Sequence, residues 1–287
     1  MKLSDFSKLI KFRLTFLVVF SASISFLIGS RANGVIIWGD WFKLIIGGFL
    51  VTSAANCFNE IIEKDLDKLM KRTMDRPMPA GRMTTGQGLV LGLFMGITGT
   101  YLLGSLNILT GLLSVFSILL YAFAYTPLKR KSPIAVFVGA IPGALPPLIG
   151  YVAAQRHGQI DEIALILFGI QFVWQFPHFW AIAWVLDEDY KLAGFRLLPT
   201  GKRNLTSAVI TFITTLILVP VSLLPYFYNF GGVWVAGVSL VCSLIFLYLA
   251  FNLMCTLTIE SARKLMFGSF IYLPVVQLMF LFDFIRK

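Results

Sequence analysis

Long apolar runs separated by short polar breaks dominate this chain. A helix needs about 20 apolar residues to cross a hydrocarbon core of about 30 Å. Runs of that kind fall near residues 14–30, 42–60, 87–105, 107–126, 134–154, 162–184, 206–226, 231–252 and 266–284. The pattern predicts an all-α, polytopic membrane protein with nine transmembrane helices. Between the third and fourth runs only Gly104-Ser105-Leu106-Asn107 offers a turn. The longest hydrophilic stretches, 63–87 and 187–204, are too short to form a soluble domain. Residues 1–287 therefore read as a single integral-membrane domain, and weak similarity between helices 1–4 and 5–8 suggests two halves without establishing a repeat.

Composition agrees, with 57% hydrophobic and 13% charged residues against about 25% charged in soluble domains. The net charge of +10 raises the question of nucleic acid, and its distribution removes it. Lys2, Lys8, Lys11 and Arg13, then Lys64, Lys68, Lys71, Arg72, Arg76 and Arg82, then Lys129, Arg130 and Lys131, then Lys191, Arg196, Lys202 and Arg203, then Arg263 and Lys264 all fall on one side of the membrane. Arg31, Lys43, Arg156, Arg286 and Lys287 fall elsewhere. The positive-inside rule puts the N-terminus in the cytoplasm and, after nine spans, the C-terminus outside. Cleavable-signal and transit-peptide patterns are lacking, so a bacterial plasma membrane is expected. Cys57, Cys242 and Cys255 have no paired spacing and read as small apolar side chains.

The chemistry concentrates where the second run ends, in Asn59-Glu60-Ile61-Ile62-Glu63-Lys64-Asp65-Leu66-Asp67. On a helix, Asn59, Glu63 and Asp67 drift only about 40° per four-residue step and share a face, from which Asp65 points away. A solvated face with i,i+4 pairs such as Glu60–Lys64 and Asp67–Lys71 would explain the charges alone. Polar groups that begin inside the bilayer favour function instead. Two carboxylates and an amide, without His or Cys, suit magnesium, which commonly also takes substrate phosphates as ligands.

Three further segments stand out. The sixth run ends in Asp187-Glu188-Asp189, acids at a helix C-terminus where the dipole favours cations. Asp187 and Asp189 could face one metal only if the helix ends at Leu186; the alternative is that one of them caps a short helix that follows. Lys129-Arg130-Lys131 form a basic loop that sets topology or, with Arg72 and Arg76, binds phosphate. Gln171, Gln175, Pro177 and His178 interrupt a span that should be apolar, and Gly143 to Tyr151 is expected to break the fifth helix in the same way. His157, in an outer loop, reads as a solvated side chain.

Together these residues resemble the intramembrane prenyltransferases of the UbiA superfamily. Their helix-end signature, Asn-x-x-x-Asp-x-x-x-Asp followed by Arg-Pro, is matched by Asn59, Glu63, Asp67 and Arg76-Pro77. Tyr125-Thr126, Leu128-Lys129-Arg130, Gly143-Ala144, Pro146 to Gly150, Pro177-His178-Phe179, Asp189-Tyr190 and Ala193-Gly194 resemble its heme-farnesylating branch. The likeness covers nearly the whole chain, with two departures: Glu63 stands for the usual first Asp, and Ala193 leaves the second acidic motif incomplete.

The resemblance implies a nine-helix bundle with a central cavity open to the cytoplasmic face, and farnesyl transfer from farnesyl diphosphate to the vinyl group of heme B, with water addition, giving heme O. It implies catalytic roles for Asn59, Glu63, Asp67 and Asp189, and Mg2+ held by Asn59, Glu63, Asp67, Asp187 and Asp189. Diphosphate would meet Arg72, Arg76, Lys129 and Arg130, with His178 the heme-side contact and a candidate iron ligand. Heme A synthase or a terminal oxidase assembly is the candidate protein partner beside the lipid bilayer. Two alternatives stay open, prenylation of an aromatic quinone precursor and secondary transport.

Overall fold

The computed structural model describes residues 2–286, so Lys287 lies outside the described residues. Among them, nine helices are long and apolar enough to cross a membrane. In chain order the helices are α1 (Leu3–Leu9), α2 (Phe12–Asn33), α3 (Trp38–Asp67), α4 (Thr85–Gly104), α5 (Ile108–Leu128), α6 (Ala135–Ala154), α7 (Glu162–Val185), the short α8 (Asp187–Leu192), α9 (Leu205–Phe227), α10 (Val233–Thr256) and α11 (Ile259–Phe282). Every predicted span is present. The last begins earlier than the apolar run suggested, because the Thr258 hydroxyl accepts from the Ser261 N–H at 3.2 Å and starts the helix there. Asn107 caps α5 in the same way, accepting from the Thr110 N–H at 2.9 Å, which makes the expected tight turn after α4.

Helix α4 shows how the bundle is held. Gly88, Gly92, Gly96 and Gly99 lie buried along one stripe, while Val90, Phe94, Ile97 and Tyr101 are exposed on the other side, where lipid would lie. A Cβ at Gly99 would sit 2.9 Å from the Gly47 carbonyl oxygen of α3. Small residues are what let two membrane helices approach this closely, since lipid offers no hydrophobic drive to pair them. The helix held this way, α3, has 30 residues and so is about 45 Å long. It outruns the hydrocarbon core and carries its acidic end to the membrane face.

The expected break in α6 is absent, and α7 also runs through Pro177 as one helix. Side chains repair what the prolines remove. Pro147 lacks the N–H that would bond the Gly143 carbonyl, and that oxygen instead accepts from Gln171 Nε2 at 2.7 Å and Gln175 Nε2 at 3.0 Å. Gln171 Oε1 in turn accepts from Ser21 of α2 at 2.8 Å and Gln277 of α11 at 2.9 Å. Polar groups in an apolar span here join α2, α6, α7 and α11. Gln171→Leu is expected to lower stability by about 1–2 kcal/mol, because buried partners lose their bonds. Thermal unfolding in detergent measures this, and Gln171→Leu/Gln277→Leu should cost little more than the single change; additive losses would mean the two do not act together.

Candidate active site

The end of α3 forms one wall of a chamber of about 180 Å³. Asn59 and Asp67 are fully buried and Glu63 is 3% exposed, which excludes a solvated charged face. Neither the Glu60–Lys64 nor the Asp67–Lys71 pair forms. Glu60 Oε1 instead accepts from the Met78 N–H at 3.1 Å, and Asp67 Oδ2 binds Arg76 Nη1 at 2.6 Å. With Thr73 Oγ1 donating to the Asp67 carbonyl at 2.9 Å, these contacts fold the segment after α3 back over the helix end. Asp65 lies outside, paired with Lys68 at 3.0 Å.

Asn59 is used on every side. Its Nδ2 donates to Glu63 Oε2 at 2.9 Å and to Thr126 Oγ1 at 3.0 Å, while its Oδ1 accepts from Lys11 Nζ at 2.7 Å. Lys11 reaches it from the junction of α1 and α2, where the chain turns through a left-handed residue, Lys11 itself at φ +50°. That conformation is rare outside glycine and marks a site whose surroundings enforce it. Burial first, then the neighbouring cations Arg76 and Lys129, hold the Lys11 amine well below the ordinary lysine value. The opposite wall is the end of α5, where a π-turn over Leu120–Tyr125 carries Tyr121 and Tyr125 to the chamber. Lys129 follows, its Nζ 2.6 Å from Glu63 Oε1 and 4.9 Å from the Tyr125 ring centre.

The second acidic segment departs from the metal-site reading and follows the alternative of a short helix after α7. Helix α7 does end at Leu186, but the acids form the first turn of α8, where the positive end of a helix dipole favours them. Asp187 is held by Lys191 at 2.7 Å and Arg203 at 3.5 Å. Neither Asp187 nor Asp189 is among the residues lining the chamber; Tyr190, Phe195 and Leu197 are. Tyr190 accepts from Arg72 Nη2 at 3.0 Å and holds that guanidinium at the chamber edge. Arg130 is exposed and also does not line the chamber. His178 lies on α7 one turn from Ile182, a lining residue, so the two share a helix face. Its Nδ1 is 2.8 Å from Ser269 Oγ of α11.

Lys11, Tyr121 and Tyr190 are the site residues that sequence reasoning missed. A lysine just before the first span and tyrosines at span ends were signals, but nothing in their spacing pointed to one another.

Four cations, Lys11, Arg72, Arg76 and Lys129, face two carboxylates here, so the chamber attracts a polyanion. The carboxylates also keep capacity for a cation. Asp67 Oδ1 is buried with no hydrogen-bond partner, and Glu63 Oε1 meets only the Lys129 ammonium. Buried unsatisfied carboxylate oxygens facing a polar chamber fit a hard divalent ion. Among the described residues no group of three His, Cys, Asp or Glu side chains could hold a metal without help from an amide or a substrate.

Known proteins resemble this chain over nearly all its length. The model of the UbiA prenyltransferase family matches residues 18–273. A protoheme IX farnesyltransferase of Cytophaga hutchinsonii is 46% identical, covering 96% of each chain. In fold, the chain is similar to a digeranylgeranylglyceryl phosphate synthase, with a TM-score of 0.81 at 22% identity over 98% of both chains. It is also similar to a UbiA homolog from Archaeoglobus fulgidus bound to GPP and Mg2+, with a TM-score of 0.62 at 12% identity, covering 96% of this chain and 99% of the other. The carboxylate-bearing helix end and its cationic surround thus sit in a fold shared with these solved structures, and the chain belongs to the UbiA prenyltransferase family.

Proposed function

We infer that this protein transfers the farnesyl group of farnesyl diphosphate to the vinyl group of protoheme IX, with addition of water, giving heme O and diphosphate. The observation that carries the donor half is the buried Asn59-Glu63-Asp67 face set against Lys11, Arg72, Arg76 and Lys129. The acceptor half is supported by the relatives named protoheme IX farnesyltransferase, 46% and 42% identical over nearly full length.

At about 180 Å³ the chamber suits a diphosphate head with its counterions and is smaller than the roughly 300–1,000 Å³ of pockets that enclose a whole organic ligand. The farnesyl chain therefore leaves it toward the bilayer. Glu63 and Asp67, with Asn59, would hold Mg2+, which when bound neutralises the diphosphate and eases its departure. Asp187 and Asp189, which do not line the chamber, are proposed to act only if α8 moves inward. Lys129 and Arg76 neutralise Glu63 and Asp67 by direct ion pairs. With Mg2+ held there, Lys129 and Arg76 would be available to phosphate oxygens, where negative charge grows as the carbon–oxygen bond breaks. The allylic carbon is attacked by the vinyl carbon, water adds to the resulting cation beside the porphyrin, and a proton is lost. Tyr121 and Tyr125 offer ring faces to positive charge in the chamber. The face bearing this chamber is read as cytoplasmic from the distribution of basic residues, with the C-terminus outside.

The test is to incubate the purified protein with heme B, farnesyl diphosphate and magnesium and look for farnesylated heme by mass spectrometry. No product under conditions where the Cytophaga hutchinsonii relative succeeds would overturn the assignment. His178, read as the heme-side contact, gives a second expectation. His178→Ala should lower heme turnover by about 10²-fold or more while farnesyl diphosphate binding by calorimetry stays unchanged. Wild-type heme O formation in that variant would remove His178 from the site.

A further inference from the structure

The imidazole of His178 is held on three sides. Trp174, one turn earlier on α7, stacks on it with ring centres 4.3 Å apart and planes 17° apart, and Phe270 of α11 meets it edge-on at 5.3 Å. The third contact is the 2.8 Å bond between Nδ1 and Ser269 Oγ. A neutral imidazole carries one proton, on either nitrogen, and the direction of this bond decides which.

Ser269 settles the direction. A serine hydroxyl has one proton to give, and here it donates to the Met266 carbonyl at 2.6 Å. That carbonyl can only accept. If the proton turned to His178 instead, the hydroxyl and carbonyl oxygens would face each other at 2.6 Å lone pair to lone pair. Ser269 Oγ is therefore the acceptor in its contact with His178, and Nδ1 is the donor. Nε2 then has no proton, and it makes no hydrogen bond to any described residue. Trp174 Nε1 donates to the Ser269 carbonyl at 3.1 Å, tying the stacking ring and the acceptor into one unit.

We propose that Ser269 is a positioning residue that fixes the proton of His178 on Nδ1 and so presents Nε2 as a free lone pair to the iron of the porphyrin substrate. The proposal rests on the reading of His178 as the heme contact. Metal-binding histidines commonly donate their second ring N–H to an oxygen, which orients the ring and raises its basicity, and loss of that partner typically weakens metal binding about 10–100-fold.

Two measurements test it. The chain has two histidines, His157 and His178, so 15N NMR of the heme-free, histidine-labelled full chain in detergent can read the tautomer of each, with His178→Ala assigning the signals. A directly bonded proton on Nδ1 of His178 is expected, and a proton on Nε2 would overturn the proposal. The second is titration with heme B, followed by absorption and by resonance Raman of the ferrous complex. Ser269→Ala should bind heme about 10–100-fold more weakly and move the iron–histidine stretch to lower frequency, and Ser269→Thr, which keeps the hydroxyl, should recover both. Wild-type affinity in Ser269→Ala, or weaker binding with an unmoved stretch, would overturn the role of Ser269 alone. If His178→Ala leaves the heme spectrum unaltered, the underlying reading of His178 falls, whatever Ser269 does.

Discussion

Asp67→Asn is expected to reduce heme O formation by about 10³-fold. Preorganised charges aimed at the group that changes charge in the transition state are each worth about 10²–10³ in kcat, and Asp67 acts twice. It has a buried, unpartnered oxygen available to a divalent ion, and it holds Arg76 through its other oxygen at 2.6 Å. Asparagine keeps the shape and an acceptor for Arg76 but removes the charge. The fold should survive, because the segment after α3 is also held through the Asp67 carbonyl and by Glu60. Mass spectrometry of heme products, beside a thermal melt, separates the two effects, and activity within about threefold of wild type would exclude Asp67 from the chemistry. Glu63 tests the same face by length. Glu63→Lys should abolish turnover, whereas Glu63→Asp keeps the charge and draws it one methylene back from Lys129, so its residual rate reports whether the longer arm is needed.

How much of this was readable beforehand differs by residue. Asn59, Glu63 and Asp67 were legible because helix periodicity alone puts them on one face, and α3 is regular throughout. Lys11 was not, because its approach to Asn59 depends on a left-handed turn between α1 and α2 and on the packing of α2 against α3. Tyr121 and Tyr125 depend on a π-turn that shifts the register of α5, which no apolar pattern records. The three acids after α7 were visible as a cost at a helix C-terminus, but a new helix starts at Asp187 and turns that cost into a benefit. The glutamines of α7 were visible only as polar interruptions of an apolar span. Their purpose emerged only when the carbonyl freed by Pro147 was found beside them.

The interface between α2 and α6 supplies the second large effect. A Cβ on Gly150 would run into the backbone of Ala22, lying 2.8 Å from its Cα and 2.7 Å from its carbonyl carbon. A neighbouring side chain could rotate away, but backbone cannot, so α2 itself must shift. Gly29, two turns further along α2, faces the Tyr151 carbonyl at 2.9 Å from its own would-be Cβ, so the two helices approach to backbone contact at two points along α2. Gly150→Ala should therefore cost at least the upper end of ordinary overpacking, about 3 kcal/mol. It should also weaken diphosphate binding, although Gly150 does not line the chamber. Asn56 of α3 donates to the Thr15 hydroxyl of α2 at 3.2 Å and to the Ile10 carbonyl just before it at 3.1 Å, and Lys11 lies between the two, so a displaced α2 draws the Lys11 amine from Asn59. Gly169→Ala in α7 is the control, because nothing lies within 4 Å of its would-be Cβ. Alanine there should be neutral or stabilise by up to about 1 kcal/mol through helix propensity. Thermal melts and farnesyl diphosphate titrations of both variants decide the matter. If Gly150→Ala melts with the wild type and binds diphosphate equally well, the seating of α2 on α6 does not set the position of Lys11.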